Sequence, residues 1–473
     1  MSNNFKNITA VFKYLTVVLV LGLAGVVGAQ TVQSAQPNIV FILADDQGWN
    51  HHSVPMFEDA SSANSELYQT PNIESIAQAG MRFSAAYSAA PMCNPSRRSL
   101  HVGKSMSQVM FSGATEEELA AAFTIGEMMQ TAGYRTAHFG KWSPGPSESG
   151  LDFYDVSDGG LGNGDGNLNE SGDPKQIFGI TDCATAFMED SVSQGKPFYM
   201  QLSHFAPHTQ PHALAETLER WEALGIGGDH NPALAAMTED LDDGVGVLLA
   251  KLEELGVQDN TYVIYNSDHG QSPGSSDNTP LTSGKGTLWE GGVRVPFIVS
   301  GPGIEPGSIS HERTLSLDLF PTFAELSGYS QPLPNDIEGG SLLPVLLGSG
   351  DGEINRPREE LVFHFPSGSG QADFRPMSTI YLGDYKLLKF YDTDEILLFN
   401  ITGDLAEKND LANSMPERTE QMHGLLAIYL DDMGVMEFAP ATGDGARATE
   451  GGAVGAAGAR GMRGGGMGGT GGG

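Results

Sequence analysis

The stretch Pro91-Met92-Cys93-Asn94-Pro95-Ser96-Arg97 brings a thiol, a proline and a guanidinium close together. Proline suits the first turn of a helix, where its missing N–H costs nothing and its fixed φ already fits. Pro95 therefore predicts a helix start, with Cys93 just ahead of it. Unpaired N–H groups and the helix dipole favour negative charge there. Arg97, about one turn inside, reaches back toward the same point. A nucleophile, an anion-favouring terminus and a fixed cation suit the binding and cleavage of an anionic ester. The bland alternative makes Cys93 a small buried hydrophobe, or half of a disulfide with Cys183.

Two other places carry chemistry by residue type and position. Asn38-Ile39-Val40-Phe41-Ile42-Leu43-Ala44 is a continuous β-rich apolar run, as expected of a strand buried on both faces of a parallel sheet. It runs straight into Asp45-Asp46. Adjacent carboxylates at the end of a buried strand repel each other and lose hydration, so a cation is the natural remedy. A second strand, Tyr134 to Phe139, ends at Gly140-Lys141-Trp142-Ser143. Lys141 at the carboxyl end of a strand is placed to bind an oxyanion.

Positioning these groups requires further elements. Thr70-Pro71 opens a short helix stopped by Gly80, and Thr124-Ile125-Gly126-Glu127 opens another as a capping box. The strand Pro197 to Ser203 exits into His204-Phe205-Ala206-Pro207-His208. Asn231-Pro232 caps a long helix ending at Gly256, with Leu234, Met237, Leu241, Val245, Leu248, Leu252 and Leu255 as a core-facing stripe. Another buried strand, Thr261 to Asn266, enters Ser267-Asp268-His269-Gly270. Pro144 to Asp173, rich in Gly, Ser, Asn and Asp, reads as a surface loop. Its Asn163, Asp165 and Asn167 fail the EF-hand register, because no glycine sits at the sixth position.

Cys93-Asn94-Pro95-Ser96-Arg97 resembles the Cys-x-Pro-Ser-Arg signature of the type I, formylglycine-dependent sulfatases of the alkaline-phosphatase superfamily. The resemblance runs over about residues 37 to 410 and its segments keep the family's order. They include Thr70-Pro71-Asn72-Ile73-Glu74, Ala206-Pro207-His208 and Gly284-Lys285-Gly286-Thr287-Leu288-Trp289-Glu290-Gly291-Gly292-Val293-Arg294. It implies an α/β fold: a large mixed sheet sandwiched by helices, with a smaller C-terminal antiparallel sheet plus helix. It implies that a maturation enzyme oxidises Cys93 to formylglycine, whose hydrated form is the nucleophile. Asp45, Asp46, Asp268 and His269, with residue 93, then correspond to the calcium ligands. Arg97, Lys141 and Lys285 correspond to the residues that balance charge on the sulfuryl group, and His208 to the acid for the leaving alcohol. The implied substrate is a sulfated polysaccharide or its oligosaccharides. Phosphoester or phosphonate hydrolysis by the same machinery, and sulfated-glycan binding without turnover, are the competing readings.

The chain departs from the family in two places. Where the family reads Gly-Lys-Trp-His-Leu-Gly, Ser143 replaces the histidine thought to help regenerate the aldehyde. His101 stands in a segment that usually reads Leu-Thr-Gly-Arg; packing, lining the cleft or replacing the absent base are its three readings. His269 is within family variation, although its nitrogen is softer than calcium prefers.

Composition bounds the rest. The chain has 473 residues, enough for a large core, and only two cysteines, too few for a disulfide framework. A formal net charge of −34, from 25 Lys plus Arg against 59 Asp plus Glu, argues against a nucleic-acid partner. Residues 1–29 read as a signal peptide: Lys6 and Lys13, an apolar run from Tyr14 to Val27, then small residues. Export to the periplasm or medium, without stable membrane insertion, is the expectation. Residues 37–345 are expected to form the catalytic domain and 346–440 a C-terminal α+β subdomain. From 441 to the end the chain is about half glycine and reads as a disordered tail.

Overall fold

The computed structural model describes residues 36–58, 67–142, 154–158, 172–226, 230–366 and 374–435. The expected signal peptide, the glycine-rich tail, Ser143 and Asn163, Asp165 and Asn167 lie outside the described residues.

The strand β1 (Asn38–Ala44) is buried along its whole length. Its alternate side chains serve two different cores, as a period of two requires. Val40, Ile42 and Ala44 join one hydrophobic cluster, and Ile39, Phe41 and Leu43 join another. The first cluster includes Ile73 and Ile76 of the helix Pro71–Ala79, Ile180 and Phe187 of Ile177–Ser193, and Leu241 and Val245 of Pro232–Glu254. The second includes Met128 of Ile125–Thr131 and Phe320 and Phe323 of Leu319–Ser327. Helices therefore cover both faces.

The remaining strands are β2 (Gly80–Phe83), β3 (Ala86–Tyr87), β4 (Arg135–Gly140), β5 (Val156–Asp158), β6 (Phe198–Ser203), β7 (Thr261–Ser267), β8 (Phe297–Ser300), β9 (Ser308–Ser310) and β10 (Thr314–Leu315), followed by β11 (Leu361–Phe365), β12 (Met377–Leu382), β13 (Tyr385–Phe390) and β14 (Ile396–Asn400). The large sheet runs β5-β4-β6-β1-β7-β8-β2-β9. Its centre, β4-β6-β1-β7, is parallel, so four carboxyl ends emerge side by side. Register is tight there: Leu43 pairs with Ser203 and Asn266, and Gly140 with Ser203. Strand β8 lies antiparallel to both β7 and β2, which makes the sheet mixed.

Local signals explain the long helix over the sheet. Asn231 Oδ1 accepts from the N–H groups of Ala233 and Leu234 at 3.0 and 3.4 Å, and Pro232 occupies the first position. Leu234, Met237, Leu241, Val245, Leu248 and Leu252 are buried, as their spacing predicts.

Strands β11 to β14 form an antiparallel meander. On one face Val362, Ile380, Leu387 and Leu398 pack with Met422, Leu426 and Tyr429 of the helix Pro416–Asp432. On the other, Phe363, Tyr381, Leu388 and Phe399 share a core with Tyr87, Leu288, Val293 and Leu317. Leu288 and Val293 belong to the segment that carries Lys285, so the small sheet buttresses it.

Candidate active site

Backbone hydrogen bonds extend the four-strand register one residue past the strand ends. The N–H of Lys141 donates to Ser203 O at 2.7 Å, that of His204 to Leu43 O at 2.9 Å, and that of Asp268 to Ala44 O at 3.1 Å. The N–H of Asp45, the residue after β1, donates to Ala206 O at 3.0 Å. Lys141, the His204–His208 turn, Asp45-Asp46 and Asp268-His269 are thereby set in a row at the carboxyl edge of the sheet, the ordinary ligand site of open α/β sheets. Asp46 has φ +64°, a left-handed conformation that non-glycine residues adopt mainly at functional turns. Its N–H donates to Asp268 Oδ1 at 3.1 Å.

The helix Cys93–Val102 points its N-terminus at this row. Met92 is the N-cap, so Cys93 is the first helical residue rather than the residue ahead of the helix. Cys93 Sγ lies 3.0 Å from His269 Nε2, 3.4 Å from Asp45 Oδ1 and 3.8 Å from Asp46 Oδ1. Cys93 and Cys183 are not joined in a disulfide, which corrects that alternative. One turn on, Ser96 Oγ donates to Asp268 O at 2.5 Å and Arg97 Nε to Asp268 Oδ2 at 2.9 Å. Arg97 also donates from Nη1 to Lys141 O at 3.3 Å, while Nη2 stands 3.7 Å from Asp45 Oδ1. That Nη2 is buried without a hydrogen-bond acceptor among the described residues, as a donor awaiting an oxyanion would be.

Two lysines close the pocket from opposite sides. Lys141 Nζ lies 2.6 Å from Asp45 Oδ2. Lys285 Nζ lies 3.0 and 3.2 Å from the two oxygens of Asp46 and 3.3 Å from His208 Nε2. Lys285 sits in a loop held by its own N–H to Gln271 O and by Gly286 N–H to Pro91 O, both at 2.8 Å. Gly286 has φ +82°, which only glycine adopts without strain. His208 Nδ1 donates to Thr209 O at 2.5 Å, so Nε2 faces the pocket.

These contacts set the protonation states. Burial opposes charge on Asp45, yet Lys141 and Arg97 outweigh it and hold the carboxyl well below its ordinary range. Asp46 is lowered likewise: burial acts against it, and His269 and Lys285 prevail. Burial and Asp45 resist ionisation of Cys93, but Lys141 and His269 bring its thiol below the ordinary value. His208 is raised, because its bond to Cys93 and the charges of Asp45 and Asp46 exceed the effect of burial. Burial also opposes charge on His269, which Asp268, Cys93 and Asp46 raise to about 9.

The donor set fits a cation. Asp45, Cys93, Asp268 and His269 each present one ligand atom, all within 4.8 Å of one another, and Asp46, Cys93 and His208 form a second such set. Three buried carboxylates in one place suit a hard divalent ion.

Every expected site residue thus lies in one pocket. His101 does not: it is buried, and it packs against Trp142 and His138 at 4.7 and 5.9 Å between centroids. Eight residues along the helix from Cys93 amount to about 12 Å of rise, too far for it to act as the base at residue 93. Sequence reasoning missed Ser272, whose hydroxyl makes a short hydrogen bond to Asp46 Oδ2, and Ser96, which anchors Asp268. It also missed Glu290. This buried carboxylate accepts from Tyr87, Tyr381 and Arg294 and pairs with Lys386, tying the Lys285 segment to the small sheet.

A doubly covered mixed sheet with a nucleophile, a cation cradle and three cationic side chains at its carboxyl edge defines a hydrolase of anionic esters of the alkaline-phosphatase superfamily. The protein-family model described as Sulfatase matches residues 37–329, and one described as N-sulphoglucosamine sulphohydrolase, C-terminal, matches 284–429. The chain belongs to the sulfatase family, and it is a sulfuric ester hydrolase. Human arylsulfatase A is 30% identical over 402 residues, covering 74% of each chain. An ulvan-active sulfatase of Formosa agariphila is 25% identical over 418 residues, 80% of this chain and 78% of that one. The crystal structure of Ps i-CgsB superposes with a TM-score of 0.70 at 25% identity, covering 84% of this chain and 93% of that one. The same protein has been solved in complex with k-i-k-neocarrahexaose.

Proposed function

We propose that the chain removes sulfate from a sulfated polysaccharide or its oligosaccharides, using formylglycine made from Cys93 by a maturation enzyme. The observation that carries this is the setting of Cys93: its sulfur touches His269 and Asp45 within 3.4 Å, beside Lys141 and Arg97. Sulfated-glycan chemistry among the relatives supports the substrate class. Residue 93, once an aldehyde hydrate, carries two hydroxyls. One attacks sulfur, and the bond from sulfur to the leaving oxygen breaks. His208 Nε2, next to Lys285, is placed to give that oxygen its proton. Arg97, Lys141 and Lys285 face the negative charge carried by the sulfuryl oxygens. The second hydroxyl then gives its proton to water, the carbon–oxygen bond to sulfate breaks, and the aldehyde is restored.

Asp45, Asp46, Asp268 and His269, with residue 93, would hold calcium. The ion supplies positive charge that favours ionisation of a bound hydroxyl. Residues 1–29 act as an export signal in this proposal, placing the enzyme in the periplasm or medium. Residues 37–345 make the catalytic domain and 346–440 the subdomain that supports it. Among the described residues no helix is long and apolar enough to cross a membrane.

The test is sulfate release from a panel of sulfated polysaccharides and oligosaccharides. Protein co-expressed with a maturation enzyme is compared with Cys93→Ala, and formylglycine is verified by mass spectrometry. Release that vanishes in the variant is expected. Verified formylglycine with no release from any sulfate ester, but turnover of an aryl phosphate, would overturn the proposal in favour of phosphoester hydrolysis.

A further inference from the structure

The loop that carries Lys285 leaves bare backbone at the next position, and an aromatic ring from elsewhere covers it. A Cβ built on Gly286 would lie 1.8 Å from Phe374 Cε1 and 2.3 Å from its Cδ1. The edge of the Phe374 ring thus fills the place that a side chain at 286 would take. Gly286 is itself at the pocket. Its N–H donates to Pro91 O at 2.8 Å, two residues before Cys93, and the neighbouring Lys285 reaches Asp46 and His208. Phe374 comes from the small sheet, three residues ahead of β12.

The ring is anchored from its carboxyl side. Arg375 Nε donates to the two oxygens of Asp392 at 3.2 and 3.0 Å, and Nη1 to Glu395 Oε2 at 3.1 Å. The same guanidinium lies 3.9 Å from the centroid of the Phe390 ring. Pro376 confines Arg375 to extended backbone, and Pro376 O accepts from Tyr391 N–H at 2.9 Å. Phe374 itself is half-buried, and among the described residues it joins none of the hydrophobic clusters. A ring that its neighbours hold in place, partly exposed and outside any core, keeps apolar area for a ligand at low entropic cost.

Resting on the sulfatase reading, we propose that Phe374 is a specificity-determining residue, which meets the apolar C–H face of the sugar that carries the scissile sulfate. The direction follows from the proton donor. His208 Nε2 and Lys285 Nζ stand 3.3 Å apart, and the oxygen that departs from sulfur lies beside them. The sugar is joined to that oxygen, so it leaves the pocket along the wall that Lys285 and Gly286 form. Phe374 covers that wall, and Lys141 stands on the opposite side. Sugar C–H groups are weakly positive and suit an aromatic ring, whose face is negative.

The test compares matured full-length wild type with Phe374→Ala, Phe374→Leu and Phe374→Tyr on a panel of sulfated oligosaccharides, with inorganic sulfate as inhibitor. Phe374→Ala should raise KM about 3- to 10-fold, the worth of one aromatic contact, and Phe374→Tyr should stay near wild type. Phe374→Leu keeps apolar bulk beside Gly286, which guards against a rearranged loop, yet it should lose most of the same affinity. Inorganic sulfate carries no sugar, so its inhibition constant should not move in any variant. An inhibition constant that rises in step with KM would overturn the proposal, because Phe374 would then act on Lys285 and not on the sugar. Unchanged KM in all three variants would overturn it as well. Calorimetric binding of the same oligosaccharides to wild type and Phe374→Leu needs no turnover. Affinity lost in the variant supports the contact; equal affinity, or binding to neither protein, overturns it. That result stands even if the wild type releases no sulfate, which would refute the sulfatase reading instead.

Discussion

Replacing Lys386 with methionine tests how the small sheet supports the pocket. Lys386 Nζ lies 3.0 Å from Glu290 Oε1 and 2.7 Å from Glu407 Oε1, and all three side chains are fully enclosed. Arg294 Nη1 is 2.9 Å from Glu290 Oε2, so two cations balance two carboxylates. Methionine keeps the unbranched stem and deletes one charge. Removing one partner of a buried pair costs about 3–5 kcal/mol. At roughly 2 cal/mol/K per residue over about 400 residues, that is a fall in melting temperature of about 4–6 °C. The loss depends on pH. Burial raises Glu407 to about 7 despite Lys386, so between 4.5 and 7 the folded chain keeps a proton that the unfolded chain releases. Its contribution to stability therefore falls as pH rises through that window and is constant above it. Without Lys386 the folded pKa rises further and the decline continues past 7, at about 1.4 kcal/mol per pH unit. Thermal unfolding of both proteins from pH 6 to 8.5 should show a deficit that widens above pH 7. Lys285 precedes Glu290 by five residues, and kcat/KM should fall with it by about tenfold, from displacement of its ammonium from Asp46. A deficit that stays constant from pH 6 to 8.5, or lies below about 1 kcal/mol, would refute this account.

Arg97→Lys should reduce kcat/KM about 10²- to 10³-fold, because one ammonium cannot serve Asp268, Lys141 O and an oxyanion together; steady-state kinetics on an aryl sulfate checks it. Ser272→Ala frees Asp46 Oδ2 from its hydroxyl and should weaken calcium binding about 10- to 100-fold in a calorimetric titration, with unchanged affinity counting against the assignment. The formal net charge of −34 repels a polyanion over the Debye length of about 30 Å at 0.01 M salt and about 10 Å at 0.1 M. KM for a sulfated oligosaccharide should therefore fall several-fold between those concentrations while that for a small aryl sulfate moves little. A rise with salt would show that local attraction dominates.

What was legible in the sequence is what lies in one strand and its exit. The apolar runs at Asn38–Ala44 and Thr261–Ser267 have no polar face to offer water, so each had to be buried on both sides. Polar groups directly after such strands must then share one edge of the sheet. Asp45, Asp46, Lys141 and Asp268 follow from that rule, His208 needed the Ala206-Pro207-His208 resemblance as well, and the long helix follows from its cap and stripe. The short strands β8 and β9 gave no such signal, and the helix Ile177–Ser193 has a start set by Asp173 and two left-handed residues rather than by a serine or threonine cap. Ser272 was invisible for a different reason. A serine four residues beyond Asp268 is common, and only the fold of its loop brings its hydroxyl to Asp46. Lys386 and Glu290 are 96 residues apart, and no periodicity links them.

Charge explains why the pocket needs so many separate elements. Asp45, Asp46 and Asp268 could not be buried together without Arg97, Lys141 and Lys285, and each of those cations comes from a different part of the chain. The set is neutral as it stands, histidines apart, so the calcium ion proposed for it would supply the positive charge that an anionic ester meets there. In a chain whose formal net charge is −34, that local excess has to be buried to be felt. Water would screen it at the surface, whereas behind the strand ends it acts at low dielectric.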